Sequence, residues 1–379
     1  MLYAYLRSLA PPQSAFTPLY IPVLNVPSSD IRLRPEFLAL FKHANITSEH
    51  IIGLDDLPAS PDLQQKLPPG NTRWILVDHN SLQHELGAIY GSRVQGVIDH
   101  HEEENSVPID TDPEPRVLEK AGSCTSLIVR TFRTEWQATS DSSVASGAAH
   151  AQGDSLANDS HLSILWDAQL AKLALGSILI DTSNLTSQYK VTATDVEAVR
   201  YLEAKICLQD GRWDRKAFYQ ELNTAKKNVD AFEVKDILRK DYKRWTEKDG
   251  RMLGIASVIK PLDFLATKAT EERNDDHGME RIIQEIMEAQ QLSMYAIMTN
   301  SRSPTGGRKR ELLLQSVPSA TAIREGFNQR FNEALQLESM DVHGICQGDK
   351  ILRNIWIQKD VSKSRKQVAP LLREAMNAA

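Results

Sequence analysis

Two short apolar runs, each closing on an aspartate, set the strongest limit on what this chain can fold into. "WILVD" ends at Asp78 and "GVID" at Asp99, and "SLQHELGAIYG" (81–91) between them has the spacing and closing glycine of a short helix. Strand, helix and strand in such close succession imply a βαβ unit and therefore a parallel sheet. Apolar runs without polar alternation suit strands covered on both faces. The first half of the chain extends this pattern. "LYIPVLNV" (19–26) reads as a further strand and "RPEFLALFKHANI" (34–46) as a helix. "GSCTSLIVRTFRTEW" (122–136) reads as a helix with Ser and Thr available to cap its start. A long apolar helix, "LSILWDAQLAKLALGSILIDTSNLTS" (162–187), runs up to Asp181. Residues 137–160, rich in Ser, Ala, Gly and Asp, are expected to form a flexible surface insertion.

The pattern changes within 203–218. "FYQELNTAKKNVDAF", "VKDILRKDYKRW", "MERIIQEIMEAQQL", "SATAIREGFNQRFNEAL" and "SRKQVAPLLREAM" have helical spacing, and "LGIASVIK", "MYAIMT" and "ELLLQSV" are strand-like. A chain of 379 residues has length for two cores. The expected fold class is α/β: a parallel-sheet domain over 1–205, then a smaller α/β domain with a mixed sheet over 216–379. Charge divides along the same line. Residues 216–379 hold 27 Lys and Arg against 23 Asp and Glu, while 1–215 hold 17 against 27, within a total of −6. Two modules with different electrostatic tasks would give this split, and so would scatter of solvated surface charge.

The composition, 41% hydrophobic and 25% charged, is that of a soluble globular protein. Cys124, Cys207 and Cys346 are too few and too scattered for a disulfide framework, so a reducing, cytoplasmic setting is expected. The opening "MLYAYLRSLAPP" lacks the basic leader of a signal peptide, and no apolar stretch is expected to reach the ~20 residues a bilayer requires. A nucleic-acid partner is not expected either, because the chain is acidic and its aromatics are not interleaved with basic residues.

In open parallel sheets ligands gather outside the carboxyl ends of the strands. Asp78, Asp99 with His100 and His101, and Asp181 all follow apolar runs and so fall at such a place. Carboxylates converging there repel one another, and a divalent cation relieves the repulsion. Mixed carboxylate and imidazole donors suit manganese, cobalt or magnesium. Taken singly, Asp78 and Asp181 also read as turn formers or caps. The glutamates at 102–104 read as solvent-facing. "DHN" and "DHH", each after an apolar strand, are the specific signal.

With these residues the sequence resembles the DHH phosphoesterase superfamily, in particular fungal exopolyphosphatases of the manganese-dependent pyrophosphatase and prune branch. "ILVDHN", "GVIDHH", "GSILIDTSN" and "EPRVLEKAGSCTSLIV" carry the resemblance in the first half, and "DILRKDYKRW" and "SRKQVAP" in the second. The resemblance implies two divalent ions, Mn2+ or Mg2+. Asp78 and Asp181 would be bridging ligands, His100 a ligand, and Asp99 a supporting residue of His100 or a further contributor to the metal site. His101, Arg365 and Lys366 would act in catalysis by gripping phosphate oxygens, with Lys226 joining them. Arg308, Lys309 and Arg310 could extend the phosphate track, or form a solvated loop. The implied activity is release of orthophosphate from the ends of linear polyphosphate. Pyrophosphatase or prune-like nucleotide phosphodiesterase activity, and polyphosphate or protein binding without turnover, are the alternatives. The implied partner is inorganic polyphosphate or another small phosphoanhydride, with no membrane partner and a monomer favoured.

One family motif is missing. The family opens on a strand ending in D-x-D-S, and here the only Asp before residue 55 is Asp30. The expectation is that the protein continues upstream of Met1, or else that this chain holds its second metal poorly and turns over slowly.

Overall fold

The structure is a computed structural model; it describes all residues except 14–16, 60, 83, 150–153, 248, 304–305, 348–351 and 379. The chain divides into two compact units, Met1–Lys226 and Lys227–Ala379.

The first unit contains helices α1 (Leu2–Leu9), α2 (Pro35–Lys42), α3 (Asp62–Lys66), α4 (His84–Tyr90), α5 (Cys124–Thr131), α6 (Arg133–Ala149), α7 (Asp154–Thr182), α8 (Ala193–Gln209) and α9 (Arg215–Lys227), with strands β1 (Trp74–Val77), β2 (Val94–Asp99) and β3 (Arg116–Leu118). The strands form one parallel sheet in the order β1-β2-β3. The sequence pattern explains the layering. Ile75, Val77, Ile98 and Val117 face the large core under α5, α7 and α8, while Leu76, Val97 and Leu118 face a smaller cluster with Val94 and Val107. Side chains alternate across a strand, so two covered faces read as one unbroken apolar run.

Several expectations need correction. Residues 19–26 form no strand: Val23 makes a single parallel bridge to Ile52, and Pro18, Pro22 and Pro27 offer no N–H for a ladder. The segment expected as a flexible insertion is helical at 137–149 and 154–160, in α6 and α7, while 150–153 lie outside the described residues. Trp136 anchors α6 in the core, and its Nε1 donates to Asp167 Oδ1 on α7 at 2.8 Å. The stretch His161–Thr182 is also long and apolar enough to cross a membrane, with a mean hydropathy of 1.3. Burial of Leu170, Ala171, Ala174, Leu175, Ile178 and Leu179 in the core accounts for that character. The compact units divide after Lys226, and α9 buries Phe218 and Leu222 against the first core.

The second unit comprises α10 (Val234–Lys240), β4 (Tyr242–Thr246), β5 (Met252–Val258), α11 (Leu262–Arg273), α12 (Gly278–Ala289), β6 (Met294–Thr299), β7 (Ser301–Arg302), β8 (Arg308–Lys309), β9 (Glu311–Ser316), α13 (Thr321–Leu335), β10 (Leu337–Ser339), β11 (Arg353–Gln358) and α14 (Arg365–Asn377). Six strands form a mixed sheet in the order β10-β11-β9-β6-β5-β4, in which only β5 and β6 run parallel. Leu253, Ile255, Met294, Ala296, Leu312 and Leu314 pack under α13 and α14, and Ala256, Val258, Tyr295, Ile297 and Leu313 under α10, α11 and α12. The expected helix "VKDILRKDYKRW" is half right. Its second half is the edge strand β4, where Tyr242, Trp245 and Thr246 favour extended backbone and exposed Lys243 and Arg244 discourage further pairing.

Candidate metal centre

The first unit's sheet delivers two chain exits side by side. β1 leaves through Asp78, whose φ of +68° is left-handed backbone that Asp tolerates better than most residues. Its N–H still donates to Ile98 O at 3.1 Å, so the turn begins while the chain is tied to β2. β2 ends at fully buried Asp99, and His100 and His101 follow.

Here the two histidines separate. His100 Nδ1 lies 2.9 Å from Ala121 O, a partner that can only accept, so Nδ1 carries the proton. Its Nε2 lies 3.2 Å from Asp78 Oδ1. His101 Nδ1 lies 2.8 Å from Asp99 Oδ1. The two rings meet edge to face with centroids 4.6 Å apart. Asp99 therefore holds the ring of His101, whereas the expectation attached it to His100. It reaches His100 only through the backbone N–H, at 2.7 Å. Its other oxygen accepts from Asn80 Nδ2 at 2.7 Å. Burial opposes its charge, but these bonds from His101, Asn80 and His100 outweigh burial and hold its carboxyl down to about 2. Asn80 is itself buried, and its Oδ1 accepts from Glu104 N at 2.8 Å, closing the loop after the histidines. It was visible in "DHN" but had no role assigned.

The third carboxylate comes from a helix end, not a strand tip. Asp181 is the penultimate residue of α7, and the backbone turns left-handed at Ser183, Asn184 and Leu185 directly after it. Its Oδ2 accepts from Ser123 Oγ at 2.7 Å. Although the side chain keeps solvent contact, burial of its inner side raises its pKa; Asp78 adds to that rise, while Ser123, His100 and Lys226 oppose it. The His100 pKa is also raised: burial acts against the charged ring, and the Asp78 bond, the Ala121 carbonyl and the Asp181 charge together exceed it.

Asp78, Asp99, His100 and His101 each offer a ligand atom within 4.8 Å of the others. Asp181 stands outside that group but within electrostatic reach of Asp78 and His100. The donor set fits a divalent cation. Asp78 is exposed, His100 has one nitrogen fixed by a carbonyl and the other aimed at Asp78, and the carboxylates of Asp78 and Asp181 are close enough to raise the Asp181 pKa. Asp99 fits less well as a ligand, since both its oxygens are already engaged.

The second unit holds Arg365, Lys366 and the triplet 308–310. Arg365 opens α14, and its guanidinium grips Asp241 through Nη1 to the carbonyl and Nη2 to Oδ1, both at 2.7 Å. Three of its five N–H donors remain. Lys366 is exposed one residue further on. The triplet 308–310 is not a simple solvated loop. Arg308 is exposed on β8, but Lys309 pairs with Glu311 at 2.6 Å, and buried Arg310 donates to Val361 O at 2.8 Å. Lys226 lies in the first unit, not the second, near the end of α9.

A second group, His277, Glu280 and Cys346, also brings potential ligand atoms together. Its contacts are those of a helix start: Glu280 meets His277 at 3.0 Å, accepts from Cys346 N at 3.1 Å and pairs with buried Arg353 at 3.2 Å.

Residues 220–375 match the family described as DHHA2 domain. A Schizosaccharomyces pombe protein named "Putative exopolyphosphatase" is 30% identical over 359 residues, which are 94% of this chain and 83% of that one. This chain belongs to the DHH phosphoesterase superfamily, in its exopolyphosphatase and prune branch. The human protein named "Exopolyphosphatase PRUNE1" is 23% identical over 364 residues, 95% of this chain and 69% of its own length. Among solved structures, one described as a Methanococcus jannaschii "putative family II inorganic pyrophosphatase" covers 94% of this chain and 97% of its own at a TM-score of 0.53 and 17% identity. That likeness concerns the fold, a parallel-sheet unit followed by a mixed-sheet unit.

Proposed function

We propose that this protein is a divalent-metal-dependent hydrolase of phosphoanhydride bonds that releases orthophosphate from the ends of linear polyphosphate. The observation that carries the reading is His100, with Nδ1 on the Ala121 carbonyl and Nε2 at 3.2 Å from Asp78, beside a third carboxylate, Asp181, whose pKa is raised in part by Asp78. Asp78, His100 and Asp181 would hold the ion. Mn2+ and Mg2+ both suit such oxygen and imidazole donors. When bound, the ion supplies an acidified water and positive charge for phosphoryl oxygens.

The chain's own residues supply the rest. Asp99 accepts from His101 Nδ1–H, so Nε2 is the nitrogen left for substrate, and it donates to a phosphate oxygen in the imidazolium form of the ring. In the second unit, Arg365, braced on Asp241, keeps donors for a bidentate phosphate contact and Lys366 offers a point charge; in the first unit, Lys226 offers another. In the reaction the terminal P–O bond of the bridge breaks. The water oxygen ends on the released orthophosphate, and its proton passes to the shortened chain.

Pyrophosphate and nucleotides share this chemistry and are the alternative substrates. Binding without turnover is a second reading, favoured by one observation. Asp55 and Asp56, the only adjacent acidic pair ahead of β1, are committed to the backbone and hydroxyl of Ser28 and to Gly53 N, and so give no ligand pair of the D-x-D kind. The test is orthophosphate release from long-chain polyphosphate, pyrophosphate and nucleoside phosphates with Mn2+ or Mg2+. Release from polyphosphate above the others supports the proposal. Polyphosphate binding with no release supports the second reading.

A further inference from the structure

Asp195 is a buried carboxylate with no exposed surface, and no Lys or Arg among the described residues forms an ion pair with it. Five donors carry its charge instead. Two belong to its own helix start: Thr192 N at 2.7 Å and Thr192 Oγ1 at 2.8 Å reach Oδ2, a capping arrangement at the beginning of α8. The other three come from far along the chain. Gly122 N donates to Oδ2 at 2.8 Å, and Ser123 N and Ser126 Oγ donate to Oδ1 at 3.1 and 2.7 Å. Capping α8 does not require them. They tie the loop between β3 and α5, and the first turn of α5, to a single carboxylate.

That loop carries both contacts that orient the candidate metal centre. Ala121 O fixes the His100 ring, and Ser123 Oγ holds Asp181. Gly122 between them permits the close approach: a Cβ there would meet Asp195 Oδ2 and Thr182 Cγ2, each at 2.7 Å. Resting on the metal-centre reading above, we infer that Asp195 is a positioning residue of that centre, setting through the 121–123 loop the tautomer of His100 and the orientation of Asp181. Outer partners of metal ligands typically change affinity by about 10–100-fold when removed.

The test compares D195N with T192A. D195N keeps the size but cannot satisfy all five donors, whereas T192A weakens the α8 cap and leaves the loop contacts in place. Mn2+ affinity is measured by calorimetric titration, stability by thermal unfolding, and the His100 tautomer by 15N NMR of the metal-free protein. The expected result for D195N is a Kd for Mn2+ raised about 10–100-fold and a His100 ring no longer held as the Nδ1–H form. T192A should lose stability with its Kd and tautomer unchanged. Unaltered Kd and tautomer in D195N would overturn the inference, as would equal loss of affinity in both variants. Should D195N not fold, G122A carries the same expectation by forcing the loop off the carboxylate. A wild-type protein that binds no Mn2+ refutes the metal-centre reading, while the tautomer in the metal-free protein still decides whether Asp195 governs His100.

Discussion

His100 sits between two partners that ask opposite things of its ring. The Ala121 carbonyl demands a proton on Nδ1, and Asp78 demands a proton or a cation at Nε2. An imidazolium meets both, and so does a neutral imidazole whose Nε2 shares a divalent cation with Asp78. His101, built into the same turn, is tied instead to Asp99. The two residues should therefore fail differently. H101A should retain Mn2+ affinity within a few-fold yet lose roughly 10²–10⁴ in kcat if Nε2 assists phosphoryl transfer. Steady-state kinetics beside metal titration separates these effects, and a variant losing metal instead of rate would contradict the division of roles. Of this site the sequence displayed the ligand types, since aspartates after apolar runs are visible in one dimension. It could not display which imidazole each partner holds. Ala121 and Asn80 act through a carbonyl and an amide that carry no compositional mark of function.

At the scale of elements, strands were more legible than their neighbours. β1, β2, β5, β6 and β9 announced themselves as apolar runs because both faces of each sheet are covered. The start of α14 was legible too, since Ser364 and Gln367 form a capping box. α6 was hidden, because its Ser-rich composition argues against a helix, while Trp136 and Ser140, both bonded to Asp167, hold it to α7. Lys205 joins that anchor from α8, with Nζ 2.8 Å from Asp167 Oδ2 and 4.9 Å from the Trp136 ring centroid. D167A should strand this buried ammonium and cost about 3–5 kcal/mol in chemical denaturation; a loss under 1 kcal/mol would show that these helices do not depend on it. The second unit has its own pair, buried Arg353 with half-buried Glu280. Bonds from Cys346 N and Arg353 outweigh burial and lower the Glu280 pKa. A lowered folded-state value means stability that is complete above the ordinary glutamate range near ~4.3 and lost as pH falls through the folded value. E280Q should therefore be less stable than wild type at neutral pH, by roughly 1.5–3 kcal/mol, and the two should converge as pH drops below about 4. Parallel stability curves at all pH values would contradict this account.

At the scale of the whole molecule, two units with separate cores lie on either side of Lys226. The sequence displayed their number through its change of pattern and charge. It did not display where α9 packs, because that helix is amphipathic and only packing reveals which core receives Phe218 and Leu222. Since the candidate ligands all lie in the first unit, Mn2+ should stabilise that unit alone, by about 2.7 kcal/mol at a hundredfold excess over Kd. Calorimetric unfolding should show one transition that moves with Mn2+ and one that does not; two unmoved transitions would place the metal elsewhere or nowhere. The central claim is that Asp78, His100 and Asp181 hold a divalent ion that serves phosphoanhydride hydrolysis. Its most direct test is orthophosphate released from long-chain polyphosphate as Mn2+ is titrated into the wild-type protein and H100A. The account predicts metal-dependent release by the wild type and, in H100A, a rate lower by at least about tenfold. Equal release by both proteins at every Mn2+ concentration would contradict it.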